Sequence, residues 1–273
     1  MKNRKMLIVC VIIFIVIILI HVVSLFTMDK IIEYKEISFK STKVSTNING
    51  YKIAFITDTH SMTVDDLNMI VPKLNELEIN ILILGGDFPS KNDAPKHSME
   101  VLSKIKTTDG IYGVEGNHDN YIKLFEAMEL YSIYPLANSG TSVRDGFFVA
   151  GVEDLWNRKP DVEKAIDGAK EEDFVLLVSH NPDVAMKYDL TGVDLMLSGH
   201  THGGQVTFFG IWAPALTLRK NITEYGQRFM SGWSKSKDNV PVYVSNGTGY
   251  LTDVPRLFAR PQIIIITLES ISE

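Results

Sequence analysis

The first feature of the chain is an almost unbroken apolar run from Met6 to Phe26, interrupted only by His21 and Ser24 near its far end. At about 1.5 Å per residue such a run crosses a hydrocarbon core of roughly 30 Å. It exceeds the roughly 7–15 apolar residues of a cleaved signal, and no small-x-small site follows it, so it is read as a membrane anchor rather than a removable leader. Lys2, Arg4 and Lys5 precede the run, whereas Lys30 follows it beside Asp29, Glu33 and Glu36. The positive-inside rule therefore predicts a single pass, with the N-terminus cytoplasmic and the remainder extracytoplasmic at the cell membrane.

Beyond the run, a strand is expected over Ile32–Phe39, followed by a polar Ser/Thr/Asn stretch to residue 50. From residue 51 short apolar runs alternate with amphipathic ones. Strands are predicted at Ile53–Thr57, Ile79–Leu84, Ile111–Glu115, Phe147–Val152, Phe174–Ser179, Val193–Ser198, Val242–Ser245 and Ile263–Leu268. Leu67, Ile70, Val71, Leu74 and Leu77 recur at helical spacing behind Asp65 and Asp66, which predicts a helix there. Further helices are expected at Ser98–Lys106, Tyr121–Leu130, Val162–Lys170 and Asp183–Tyr188. Buried strands alternating with helices indicate an α/β domain, and the strand-rich second half favours a mixed two-sheet sandwich flanked by helices over a simple doubly wound sheet. The expected organisation is an anchor (1–28), a tether with an edge strand (29–50) and one domain (51–273).

Composition narrows the chemistry. The one cysteine, Cys10, lies inside the apolar run, which excludes intrachain disulfides and zinc sites built on several thiolates. Formal net charge is −6 with no basic block beyond the first residues, so no nucleic-acid surface is indicated. Any metal must be held by His, Asp, Glu or Asn.

Such residues stand just past the apolar strands. Asp58 and His60 follow the first, Gly85-Gly86-Asp87 the second, and Gly116-Asn117-His118-Asp119 the third. His180 follows Phe174–Ser179, and Gly199-His200-Thr201-His202 follows Val193–Ser198. Five of the seven histidines occupy these positions. Sites in α/β folds form beyond the carboxyl ends of strands, so these five loops are expected to converge. A lone motif of this kind is usually an ordinary loop; it is their joint recurrence that points to a metal site. The ligand set is Asp58, His60, Asp87, Asn117, His180, His200 and His202, with Asp87 suited to bridge two ions. Mixed imidazole and carboxylate donors suit two divalent ions of the Mn, Fe or Zn type. A hydroxide shared by two such ions would attack phosphorus in line. His118, left over from the ligand set, is placed to protonate a leaving alkoxide. Asp119 either orients that imidazole or caps the helix beginning near Tyr121.

The ordered motifs D-x-H, GD, GNHD, a lone H and GHTH, spanning Asp58 to His202, resemble the calcineurin-like metallophosphoesterase superfamily. The resemblance implies a two-sheet sandwich and a binuclear centre. Asp58, His60, Asp87 and His202 would hold one ion, and Asp87, Asn117, His180 and His200 the other, with His118 catalytic. The continuation through Tyr243–Gly249, Pro255-Arg256 and Arg260-Pro261 is similar to a membrane-attached bacterial branch. That branch includes phosphodiesterases and enzymes of the UDP-2,3-diacylglucosamine pyrophosphatase type. Asn246, Gln262 and the Phe88-Pro89-Ser90 stretch depart from the branch pattern and bear on substrate rather than on metal.

The expected activity is hydrolysis of a phosphodiester or pyrophosphate in a phosphorylated lipid or envelope component; no protein partner is inferable. The alternatives are a phosphomonoesterase or nucleotidase, and a non-catalytic membrane-tethered scaffold. Arg256 and Arg260 are considered for binding phosphate, against a structural ion-pair role. The apolar stretch Ile211–Leu218, containing Trp212, is read as a core-packing loop in preference to a lipid-contacting one.

Overall fold

A computed structural model describes residues 2–26, 31–89, 93–249 and 254–271. The apolar run is helical as Lys2–Phe26 (α1). Between Arg4 and Ser24, 21 residues, it is long and apolar enough to cross a membrane. Between residues 4 and 24 its side chains stand exposed except on one face, where Ile17 and His21 are half-buried and Ser24 is buried. Those three positions are spaced four and three apart and so share one stripe. Asp29 and Lys30, used above for orientation, lie outside the described residues, as do Ser90 and residue 273.

The remaining elements are β1 (Glu33–Ser41), β2 (Lys52–Ile56), α2 (Val64–Glu76), β3 (Ile81–Leu84), α3 (Ala94–Leu102), β4 (Ile111–Gly113), α4 (Tyr121–Leu130), β5 (Tyr134–Pro135), β6 (Ser139–Arg144), β7 (Phe147–Gly151), α5 (Val162–Ile166), β8 (Phe174–Val178), α6 (Val184–Lys187), β9 (Leu195–Ser198), α7 (Pro214–Leu218), β10 (Gly232–Lys235), β11 (Pro241–Val244) and β12 (Gln262–Ser270). They build two six-stranded sheets, ordered β1-β12-β2-β3-β4-β5 and β10-β11-β9-β8-β7-β6. Both are mixed. β12 runs parallel to β1 and antiparallel to β2, and β2 to β5 are mutually parallel. In the second sheet β7, β8, β9 and β11 are parallel, flanked by antiparallel β6 and β10.

Side chains alternate across a strand, and here both faces are apolar. From β2, Ile53 and Phe55 enter the core between the sheets, while Ala54 and Ile56 face the helical layer of Leu67, Ile70, Leu74 and Met128. From β8, Phe174, Leu176 and Val178 face inward, and Val175 and Leu177 meet Val162, Ala165 and Val184 on the other side. The molecule is thus a sandwich with helices outside both sheets.

Several boundaries differ from the sequence pattern. α3 begins a turn earlier than Ser98 because Pro95 sits in its first turn, where proline's missing N–H costs nothing. β6 and β10 escape the apolar pattern because none of their residues is buried, as on edge strands. The core-packing expectation for Ile211–Leu218 is corrected: Ala213 and Leu216 are buried, but Ile211 is 78% and Leu218 79% exposed, and Trp212 is also exposed.

Candidate metal centre

β2, β3, β8 and β9 all deliver their carboxyl ends to one rim of the sandwich, and the residues that follow them meet there. Two groups have ligand-capable atoms within 4.8 Å of one another: Asp58 with His60 and His202, and Asp87 with His180 and His200. The groups adjoin. His60 Nε2 lies 3.0 Å from His202 Nε2 and 3.4 Å from Asp87 Oδ2. His202 Nε2 lies 3.4 Å from Asp58 Oδ1, and His180 Nε2 lies 3.2 Å from Asp87 Oδ2. Asp87 therefore stands between the two groups.

The backbone is bent to achieve this. Asp58, His60, Asp87, His200 and His202 all adopt positive φ, between 36° and 71°. For residues with a Cβ this conformation is disfavoured, and it persists only where the surroundings impose it. Two glycines allow the carboxylates to approach. A Cβ at Gly116 would lie 2.2 Å from Asp87 Oδ1, and one at Gly199 would lie 2.2 Å from Asp58 Oδ2.

Hydrogen bonds fix which imidazole nitrogen is free. His180 Nδ1 donates to Gly85 O at 2.8 Å, so Nε2 faces the cluster. His200 Nε2 donates to Ile222 O at 2.8 Å, which leaves its Nδ1. Asn117 Oδ1 is buried without a hydrogen-bond partner, and His180 Nε2 meets Asp87 Oδ2 alone. A buried polar atom left unpaired is costly, and a cation would satisfy the Asn117 oxygen. This crowding of carboxylate oxygens and imidazole nitrogens, together with the orphaned Asn117 oxygen, fits a divalent metal centre.

Charge has the same sense. Burial holds His60, His200 and His202 below the ordinary histidine range, His200 at about 3. They are thus neutral, the form in which an imidazole ligates. Burial would also lower His180, but Asp87 and Asp58 outweigh it and raise it to about 10. Burial would raise Asp87, but His180 and His60 hold it well below the carboxylate range. A cation held by His180 Nε2 would take the place of its proton, so metal uptake should release it.

His118 is exposed at the mouth of the cluster, its ring 5.4 Å from that of His60 and its backbone N–H on Asp87 Oδ1 at 2.8 Å. Asp119 is placed differently from either expectation. Its carboxylate accepts from the N–H groups of Asp87, Phe88 and Gly116 at 2.8–2.9 Å, and the cap of α4 is Asn120. Asp119 therefore clamps the Asp87 turn. Burial and the neighbouring Asp87 push its carboxyl up to about 7, against the pull of the three N–H donors.

Arg256, weighed above between phosphate binding and a structural role, is 3% exposed, and its guanidinium donates to the carbonyls of His202, Gly247, Gly249 and Ala259. Arg260 donates through Nε to Ile31 O at 2.8 Å, tying the chain ahead of β1 to the domain. Asn246 donates to Arg260 O at 3.0 Å. The loop after β7 contributes residues the sequence reading passed over. Trp156 sets its ring edge-on to His200 at 4.5 Å, and Asn157 Nδ2 donates to Asn117 O at 2.7 Å. Asp154 Oδ2 fixes that loop through the Trp156 and Asn157 N–H groups. The strand-end rule applied to β7 would have reached them.

The pattern of the calcineurin-like phosphoesterases matches residues 51–204, which contain the whole cluster. The chain belongs to that family. Among similar metallophosphoesterases is the uncharacterized YkuE of Bacillus subtilis, 30% identical over 88% of this chain and 86% of its own length. An uncharacterized metallophosphoesterase of Helicobacter pylori is 28% identical over 78% of this chain and 58% of its own. A transmembrane protein with a metallophosphoesterase domain from Danio rerio is 29% identical over 83% of this chain and 55% of its own. The chain thus spans a little over half of the latter two. As a metallophosphoesterase it carries its ligand-capable side chains on the strand ends that the matched region spans.

Proposed function

We propose that this metallophosphoesterase is a membrane-anchored hydrolase with two divalent ions, acting outside the membrane on a phosphodiester or pyrophosphate of a lipid or envelope component. The observation that carries the reading is the pair of adjoining groups, Asp58/His60/His202 and Asp87/His180/His200, with an exposed imidazole beside them. Asp87 sits between the groups and Asn117 supplies a further oxygen. Divalent ions there supply Lewis acidity, making water a nucleophile near neutral pH and drawing charge off the phosphoryl oxygens.

The chain's own residues do the rest. Asp58 is steadied by the His200 N–H at 3.0–3.1 Å and the Thr57 hydroxyl at 2.9 Å, so its free lone pairs keep one direction. His118 stands on the open side, where it delivers a proton to the departing alkoxide oxygen as the P–O bond breaks. Water adds to phosphorus and the alcohol leaves, giving a phosphomonoester from a diester. Anchoring by α1 keeps the site near lipid-borne substrates, and membrane proteins among the relatives agree with this.

The test is hydrolysis of bis-p-nitrophenyl phosphate by the detergent-solubilised chain, with Mn, with chelator, and as Asp87→Ala and His118→Ala. Expected is Mn-dependent turnover that chelator and Asp87→Ala abolish and His118→Ala lowers by about 10²-fold or more. Turnover insensitive to chelator would overturn the metal reading. Turnover confined to monoesters would overturn the diester reading.

A further inference from the structure

The aromatic residues of the loop after the last metal motif pack on one another, Phe208 with Trp212 and Phe209 with Phe258, yet stay largely open to solvent. Phe208, Phe209, Ile211, Trp212 and Leu218 are all exposed, an unusual concentration of large apolar side chains on one short stretch. The backbone presents them deliberately. Phe208 and Trp212 bridge across a tight turn closed by Ile211 N–H on Phe208 O at 3.0 Å. Phe209 and Phe258 both hold positive φ of 53°, a conformation bulky residues avoid.

This stretch meets α1. The ring of His21 lies 4.8 Å from that of Phe209, 4.9 Å from Phe258 and 6.2 Å from Phe208. It belongs to the one stripe that is not fully exposed among the described side chains of α1, Ile17, His21 and Ser24. Seven residues separate the ends of that stripe, about 10 Å along a helix. The apolar span itself runs from Arg4 to Ser24, about 31 Å, just enough to fill a hydrocarbon core. Contacts made at His21 therefore lie inside the outer margin of that span, below the level at which it leaves the lipid. Phenylalanine and tryptophan side chains fixed at that depth are in the acyl–headgroup boundary, where such rings are favoured.

We propose that the 206–218 loop, with Phe258, is a bilayer-docking surface: it seats the catalytic domain on the same leaflet from which α1 emerges, with lipid as its occupant. The inference rests on the anchored reading of α1 given above. The same loop begins four residues after His202, so the metal centre is held at headgroup height. The substrate class this favours is a phosphate ester borne by a membrane lipid.

Tryptophan supplies the test, because α1 contains none and the chain has only Trp156, Trp212 and Trp233. The full chain is reconstituted into phosphatidylethanolamine/phosphatidylglycerol vesicles with and without dibrominated acyl chains, which quench tryptophan on contact. Expected is quenching in the unaltered chain, its loss in Trp212→Phe, and its retention in a Trp156→Phe/Trp233→Phe variant whose emission comes from Trp212 alone. The second variant keeps the result readable if the first folds poorly. Quenching that survives Trp212→Phe overturns the proposal. So does Trp212 emission that is blue-shifted yet unquenched, which would assign the patch to a second copy or another protein. Alkaline carbonate extraction of the same vesicles separates the two readings. A released chain overturns the anchor and the docking together, whereas a retained chain with unquenched Trp212 overturns the docking alone.

Discussion

Asp119 and Asn120 are neighbours with unrelated work. Asn120 accepts the Lys123 N–H at 3.1 Å and starts α4; Asp119 turns the other way and holds three N–H groups of the Asp87 and Gly116 turns. Asn120→Ala should cost about 1 kcal/mol of stability and leave metal affinity unchanged. Asp119→Ala should weaken metal affinity by about 10–100-fold, since it frees a loop that aims a ligand. Denaturant melts and metal titration of the two variants would separate these effects, and equal loss of affinity in both would count against the clamp. At this scale the sequence is informative about type and poor about direction. Polar residues past the strands are legible because nothing else explains their recurrence. That Asp119 faces the Asp87 turn, or that Arg256 reaches carbonyls on three segments, depends on loops meeting in space, and no local pattern encodes it.

Among the elements, the buried strands are the most legible and the edges the least. β2, β3, β8 and β9 are apolar on both faces, so any period finds them; β6, with no buried residue, reads as loop. The central strands also hold the site, because their carboxyl ends are its floor. Leu176 is fully buried between the sheets in β8, whose end carries His180. Leu176→Ala should cost roughly 2–5 kcal/mol. A loss of unfolding free energy in chemical denaturation of less than a quarter of that would argue against a packed inter-sheet core. Gly116→Ala, by contrast, should leave the core intact but push against the Asp87 carboxylate and its backbone N, so both metal content by elemental analysis and the melting temperature of the metal-free protein should fall.

For the whole molecule, positive φ at five of the metal-capable residues and an unpaired Asn117 oxygen are costs that the fold bears without a ligand. Binding should therefore stabilise the native state strongly. At a hundredfold excess over Kd a single ion adds about 2.7 kcal/mol. Adding Mn to chelated protein should raise Tm by several degrees, and in Asp87→Ala the rise should disappear; a rise that persists would place the stabilising ion elsewhere. The architecture as a whole was legible from alternation of strands and helices. The division into two sheets was legible as well; which strands belong to which sheet, and which strand neighbours which, was not, because pairing is set by contacts far apart in sequence.

One of those pairings has a consequence for how the protein is made. β12 lies between β1 and β2, donating and accepting along both edges. The ribosome completes β1 and β2 early, yet the strand that joins them follows about 200 residues later. Until then the first sheet has an open slot with two unpaired edges, which invites mispairing between chains. Closing so long a loop is also slow. By that time α1 has emerged and can be held in a bilayer, which would keep each nascent chain at a fixed site, apart from its neighbours, while the slot waits for its last strand.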